Sequence, residues 1–207
     1  MTIHRLPPLS AFRTNSYLVT ADDKNAVLID APANAEFILD ELVRYGLTLK
    51  KILLTHGHHD HIGAAAQLSQ KTGCAVLIHS ADAVMLADSV ANLGAVFGLE
   101  TLAPVRNARE IADGDRIDEA GLEFRVLHTP GHTVGSVCYI AENALFSGDT
   151  LFAGTIGRTD FPGGSMAVIR KSLETLCALP GDYDVYPGHE DSTTLSYERA
   201  TNFYLRF

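Results

Sequence analysis

The sequence predicts an α/β fold in which two sheets pack face to face with helices on their outer surfaces. Three observations predict it. Apolar residues switch repeatedly between short strand-like runs and longer stretches with helical spacing. The strand-like runs follow one another mainly in hairpin order, with the helical stretches interspersed. No linker rich in Pro, Gly or Ser interrupts the 207 residues, so the chain is expected to bury its core as a single domain, 1–207.

In chain order, residues 15–20 and 26–30 read as strands joined by an Asp- and Asn-rich turn at 21–25. Residues 34–45 carry Phe37, Ile38, Leu42 and Tyr45 at helical spacing and stop at Gly46. A short buried strand at 51–55 precedes a helix at 61–72 closed by Gly73, then a strand at 75–79 and a helix at 81–87. Residues 88–109 are the least regular stretch, interrupted by Gly94, Gly98 and Pro104. Their apolar residues (Leu93, Val96, Phe97, Leu99, Leu102) indicate a covering loop or a pocket wall. The second half repeats the style. Strands are expected at 122–128, 136–140 and 144–147, a helix at 166–178, a strand at 184–186 and a last helix near 194–202.

Composition narrows the function classes. A hydrophobic content of 46% with 20% charged residues is that of a folded globular protein and excludes disorder. No apolar run approaches the ~20 residues needed to cross a bilayer. The N-terminal MTIHRLPPLSAFRTNSY lacks the apolar stretch of roughly 7–15 residues found in signal peptides. A cytoplasmic protein without a membrane partner is therefore expected. The formal charge of -9 and the absence of a basic stripe argue against a nucleic-acid partner held through phosphates and leave a small-molecule substrate. A bound pair of divalent cations would offset part of that charge. Cys74, Cys138 and Cys177 are odd in number, widely spaced and set among apolar residues, so they read as reduced thiols.

The chemistry is concentrated in THGHHDHIG (55–63), directly after an apolar strand. Side chains at i and i+2 of an extended segment point the same way, so His56 and His58 can face one point. Asp60 and His61 lie where the chain bends into a helix and aim at a second point nearby. Asp60 could serve as a helix N-cap alone, but that does not account for so many titratable groups on one turn. Burying them together is unfavourable unless a cation compensates. Imidazole and carboxylate ligands suit zinc, and also iron or manganese. His132 in TPGHTVGS, Asp149 in LFSGDTLF and His189 in VYPGHED share one local grammar: apolar strand, glycine, ligand-type residue. That repetition favours convergence at one edge of the sheets. His59 should face away from His56 and His58, and His4, His79 and His128 lack a ligand-type neighbour, so all four are left out of the cage.

Together, THGHHDH (55–61), GH (131–132), GD (148–149) and PGH (187–189) resemble, in order, the metal signature of the metallo-β-lactamase superfamily. LFAGTIGRTDFPGGS (151–165) and VYPGHEDSTTLSYERATN (185–202) are similar to its small hydroxyacylglutathione hydrolase (glyoxalase II-like) branch, in short form. The resemblance runs from Asn15 to Asn202. It implies a four-layer αβ/βα sandwich, the metallo-β-lactamase fold, with the site at one edge of the sheets. It also implies two divalent metal ions, zinc by preference. His56, His58 and His132 would hold one, Asp60, His61 and His189 the other, and Asp149 would bridge them. Full-length glyoxalase II enzymes carry a further C-terminal helical region that helps to bind glutathione, whereas this chain ends at Phe207. GRTDF (157–161) is a form shared with the persulfide dioxygenases of the superfamily.

The expected activity is hydrolysis of a glutathione thioester such as lactoylglutathione by a metal-bridging hydroxide. Asp60 would ligate and orient the hydroxide, and Asp149 would fix the spacing of the metals. Asp30 is a candidate partner for the outward nitrogen of a ligand imidazole, and equally a turn former. Tyr139, Tyr183 and Arg158 are candidate substrate contacts, although a tyrosine on a strand is usually core. Two rivals share the site: an iron-dependent persulfide dioxygenase, which by resemblance needs only His56, His132 and Asp149, and a lactonase. A non-catalytic module on the same fold is disfavoured by the complete set of seven ligand-type residues.

Overall fold

Central strands apolar on both faces force a layered structure, because each face must be covered. The computed structural model describes residues 1–21 and 24–206. Along β3 (Asn25–Ile29), Ala26 and Leu28 pack to one side while Val27 and Ile29 pack to the other, following the two-residue period of a strand. The first side is covered by α1 (Ala35–Tyr45) and α3 (Ala65–Thr72), through Ile38, Leu42 and Leu68. The second side meets a second sheet, whose Phe124, Val126, Tyr139 and Phe146 complete the inter-sheet core. That sheet is capped in turn by α4 (Met166–Cys177) and α5 (Leu195–Thr201), through Ile169, Leu173, Leu176 and Leu195. The result is the four-layer metallo-β-lactamase fold.

The first sheet has the order β1-β2-β3-β4-β5-β6, with β1 at Thr2–Arg5, β2 at Tyr17–Thr20, β4 at Thr48–Leu53, β5 at Ala75–His79 and β6 at Ala108–Ile111. From β3 to β6 its strands are parallel. The second has the order β14-β13-β10-β9-β8-β7, built from β7 (Arg116–Glu119), β8 (Leu122–His128), β9 (Val137–Ala141), β10 (Ala144–Gly148), β13 (Asp184–Pro187) and β14 (Thr193–Thr194). It is antiparallel except for β10 beside β13. A two-stranded ribbon, β11 (Leu151–Phe152) with β12 (Thr155–Ile156), follows β10. Among the described residues no helix is long and apolar enough to cross a membrane. The three cysteines are free thiols.

Several expected elements are shifted. The helix expected at 61–72 is two: α2 (His59–Ile62) and α3, broken where Gly63 passes the Pro32 carbonyl too closely for any Cβ. The helix expected at 81–87 is a 3-10 turn over Ser80–Leu86. The strand expected at 15–20 starts at Tyr17, because the buried Asn15 side chain is bound to the Pro187 and Glu190 carbonyls. In the turn expected at 21–25, Asp22 and Asp23 lie outside the described residues. Strands β1, β6, β7, β11, β12 and β14 were not anticipated. They are short, and polar or half-exposed edges such as RIDE in β7 give no clear alternation.

Candidate metal centre

The parallel runs β3–β4–β5 and β10–β13 send their C-terminal ends to one rim, where open α/β sheets form sites. Leu54 and Thr55 leave β4 and deliver His56 and His58, and α2 turns Asp60 and His61 toward them. The ladder between β10 and β13 slips between Phe146 and Gly148, an irregularity that re-aims Asp149. Gly148 takes φ +48°, and a Cβ there would lie 2.5 Å from the Thr55 side chain. Glycine thus lets the Asp149 loop seat against the end of β4. At Gly188 a Cβ would collide with Asp149 Oδ1 and come within 2.8 Å of His61 Cε1. Gly188 therefore keeps open the space that the ligand atoms face.

The rim brings all seven sequence-nominated residues together. His56 Nε2 lies 3.1 Å from His58 Nδ1, which lies 2.9 Å from His132 Nε2. His61 Nε2 lies 3.4 Å from His189 Nε2 and 3.6 Å from Asp60 Oδ2, and His189 Nε2 is 3.4 Å from Asp60 Oδ2. Asp149 straddles the two groups: Oδ1 is 3.4 Å from His61 Nε2, and Oδ2 is 3.4 Å from both His132 Nε2 and His189 Nε2. Among the described residues three sets of ligand atoms gather within 4.8 Å: His56, His58 and His132; His56, His61 and Asp149; Asp60, His61 and His189.

These contacts have the dimensions of a coordination polyhedron. Nitrogen and oxygen donors at about 2.0–2.1 Å around a tetrahedral cation are separated by about 3.3–3.4 Å. Hydrogen bonding fixes which atoms face inward. His61 donates Nδ1–H to Asp30 Oδ2 at 2.8 Å, His132 to the Arg158 carbonyl at 2.7 Å, and His189 to the Phe12 carbonyl at 3.1 Å. His56 Nδ1 meets Thr55 Oγ1, whose own proton goes to Asp30 Oδ2. In the neutral tautomers these bonds select, the inward nitrogens of the four rings carry lone pairs that cannot hydrogen-bond one another. Asp149 Oδ1 is buried without a hydrogen-bond partner. A donor set of this kind fits divalent cations.

Electrostatics divide the cage. Burial, with neighbouring imidazoles, pulls His56 well down and His58 to about 3, so both are neutral lone-pair donors. At His61 and His189 burial also lowers the pKa, but the surrounding carboxylates outweigh it and raise them to about 9 and about 11. Asp149 falls to about 2, because His61, His189 and His132 overcome the opposing effect of burial. Protons held at His61 and His189 are those a cation must displace.

The cage floors a cavity of about 640 Å³, walled by the loop after β1, the 88–105 stretch and the loop after β12. Phe97 and Leu99 of the irregular stretch line it, as the pocket-wall reading expected. Arg158 lines it as well, 3.7 Å above the Phe161 ring. Tyr139 does not: it is fully buried and its hydroxyl donates to the Leu54 carbonyl. Tyr183 is also away from the cavity, packed against the core under α4. Both tyrosines are structural and neither is a substrate contact. His59 stands outside the cage, with Nε2–H on the Glu100 carbonyl at 3.0 Å. His4 stacks on Tyr45, and His79 on His128 at 4.0 Å.

Sequence reasoning missed two supporting residues. Thr14 donates to Asp60 Oδ2 at 2.7 Å. Asp82, fully buried, accepts from Gly57 N, Thr133 Oγ1 and Gly135 N at 3.1, 2.7 and 2.7 Å. It ties the His56–His58 turn to the His132 loop. Only a lone aspartate after an apolar strand could have flagged it.

With this geometry in place, the chain matches the metallo-beta-lactamase superfamily profile over residues 9–189. It belongs to that superfamily and is a metal-dependent hydrolase. More particularly, the hydroxyacylglutathione hydrolase GloC of Haemophilus influenzae is 37% identical over 202 residues, covering 96% of this chain and 95% of that one. Among solved structures, the BLEG-1 B3 metallo-beta-lactamase aligns over 100% of both chains, with TM-score 0.93 and 34% identity. TTHA1623, crystallised in a di-iron-bound form, covers 97% of this chain and 100% of its own, with TM-score 0.87 and 37% identity.

Proposed function

We propose that the protein hydrolyses the thioester of a small thiol, of the hydroxyacylglutathione kind, using two divalent cations. His56, His58 and His132 would hold one, Asp60, His61 and His189 the other, and Asp149 would touch both. Zinc is the first choice, with iron and manganese as the other options. The observation that carries this reading is Asp149, whose two oxygens face the two histidine groups at 3.4 Å. Charge balance supports it. With the protons of His61 and His189 displaced, Asp30, Asp60 and Asp149 bring three negative charges, more than one divalent cation balances, whereas two cations balance them together with one added anion.

When bound, such cations supply Lewis acidity that acidifies water and polarises a carbonyl oxygen. The chain's own groups do the positioning. Asp60, held by the Thr14 hydroxyl, presents a carboxylate at the cavity floor that can orient a water and accept its proton. The Phe12, Leu93, Phe97 and Phe161 side chains exclude bulk water from the reacting centre. The substrate's thiolate is a good leaving group and needs no acid nearby. The 37% identity to the Haemophilus influenzae enzyme supports the thioester. The -9 charge supports a cytoplasmic protein acting on a small molecule, without a nucleic-acid or membrane partner.

A second reading, an iron-dependent persulfide dioxygenase, is favoured by the 157–161 stretch, where the Arg158 carbonyl holds His132. Metal quantification on purified protein, with lactoylglutathione hydrolysis and oxygen uptake on glutathione persulfide, separates them. Two metals per chain with thioester turnover are expected. One iron with oxygen uptake and no thioester turnover would replace the first reading by the second, and lactone turnover alone would point to a lactonase.

A further inference from the structure

Three guanidinium groups line the cavity, from Arg5, Arg13 and Arg158. Two are already committed. Arg158 makes two 2.7 Å bonds to the Asp160 carboxylate. Arg5 donates to Asn15 Oδ1 at 2.9 and 3.2 Å, to the Glu190 carbonyl at 2.8 Å and to Asp191 at 3.4 Å. The Arg13 side chain has no hydrogen-bond or carboxylate partner among the described residues.

Its backbone is held with unusual insistence. Arg13 has φ +58°, a left-handed conformation that is costly for arginine. Both neighbours are fastened to the cage: the Phe12 carbonyl accepts from His189, and the Thr14 hydroxyl donates to Asp60. The Arg13 amide closes the turn on the Ser10 carbonyl at 3.0 Å. A strained residue locked beside reactive groups, with an uncommitted charge facing a cavity, indicates a ligand contact. Anions reaching this cavity are otherwise opposed by Asp60, Glu190 and Asp191 in its walls and by the net charge of -9. On the other wall Leu93, Phe97 and Phe161 form an apolar surface suited to an acyl group.

We infer that Arg13 is a specificity-determining anchor, binding a carboxylate on the thiol half of the substrate. This rests on the thioester reading for the substrate's identity and on the loop geometry for the residue. The test uses zinc-loaded protein and S-methylglutathione, a thioether that carries the carboxylates of glutathione and cannot be hydrolysed. Calorimetry should show Arg13→Gln weakening its binding about fivefold, the upper range for an exposed ion pair. Arg13→Asn, which tolerates the left-handed backbone, should match it. Arg13→Lys should recover part of the loss, and Arg106→Gln, the same charge removed away from this cavity, should bind as the parent does.

In a parallel assay, the kcat/KM ratio of lactoylglutathione to the neutral thioester S-lactoyl-N-acetylcysteamine should fall about fivefold in Arg13→Gln, through KM. Equal binding by parent, Arg13→Gln and Arg13→Asn overturns the anchor, as does failure of the parent to bind S-methylglutathione. Hydrolysis of both thioesters with an unchanged ratio also removes the anchor while leaving the hydrolase intact. Arg13-dependent binding without turnover of either thioester keeps the anchor and removes the thioester reading.

Discussion

Replacing Asp82 by alanine tests whether the cage is held from outside. The carboxylate is fully buried and touches no nominated ligand. Its removal strands the Gly57 and Gly135 amides, because Thr133 Oγ1 keeps Ser136 Oγ at 2.7 Å. Two orphaned buried donors at about 1–3 kcal/mol each cost about 2–6 kcal/mol. At roughly 2–4 °C per kcal/mol for a chain of this size, Tm should fall by about 4–24 °C. Gly57 lies between His56 and His58, and Thr133 follows His132. Loosening both should therefore weaken metal affinity by about 10–100-fold, the usual effect of losing a group that orients ligands. Asp82→Asn keeps one acceptor oxygen and should lose less. Urea unfolding of zinc-loaded and chelated protein, with chelator competition, measures both effects. An Asp82→Ala protein within about 1 kcal/mol of the parent and with unaltered affinity would refute the reasoning.

Asp149→Ala should lose most bound metal and most turnover; two bound metals and full activity in that variant would remove the proposed centre. Gly188→Ala should fold, since its Cβ collides mainly with the Asp149 and His61 side chains and comes no nearer than 3.1 Å to the Gly148 backbone, but elemental analysis should find less than the parent's metal content. His79 is depressed by burial and by the His128 ring stacked on it. The unfolded chain therefore takes up a proton near pH 6.5 that the folded chain refuses, and stability should fall as the pH drops below about 6.5. His79→Gln should flatten that slope in unfolding curves taken between pH 5 and 7. Phe12→Ala should change the ranking of acyl groups in a thioester panel while retaining metal, because it keeps the carbonyl on which His189 rests.

The layers were legible because burial imposes a period. Ala26 to Ile29 alternate between two cores, and Ile38 and Leu42 sit at helical spacing, so pattern and packing agree. Edge strands carried no such signal: Arg116 to Glu119 read as loop because their partner, β8, lies on one side only. The seven nominated residues were legible because ligand chemistry demands particular side chains. What orients them was not. Three of the outward nitrogens rest on Phe12 O, Arg158 O or the carboxylate of Asp30, and a carbonyl can come from any residue. Asp30 was evenly balanced between turn and partner, and the structure makes it the partner: at φ +55°, outside any hydrogen-bonded turn, it receives His61, Thr55 N and Thr55 Oγ1. Tyr139 is a core ring, as a strand tyrosine usually is; alternation in a sheet buried on both faces does not by itself distinguish a core ring from a cavity ring.

That anonymity of the carbonyl has a functional consequence. Phe12 and Arg158 each present a side chain to the cavity and a backbone oxygen to a cage imidazole. The oxygen survives any substitution that the local backbone tolerates, so ring orientation is insulated from the identity of the wall. Side chains on the same residues are then free to vary with the substrate. Thr14 and Asp82 are the contrary case, since each uses its side chain and cannot change without disturbing what it holds. A superfamily that serves many substrates on one metal centre needs this division of labour. In this chain it means that Arg13, flanked by the Phe12 carbonyl and the Thr14 hydroxyl, occupies a position where the charge of the wall can be altered without moving the cage.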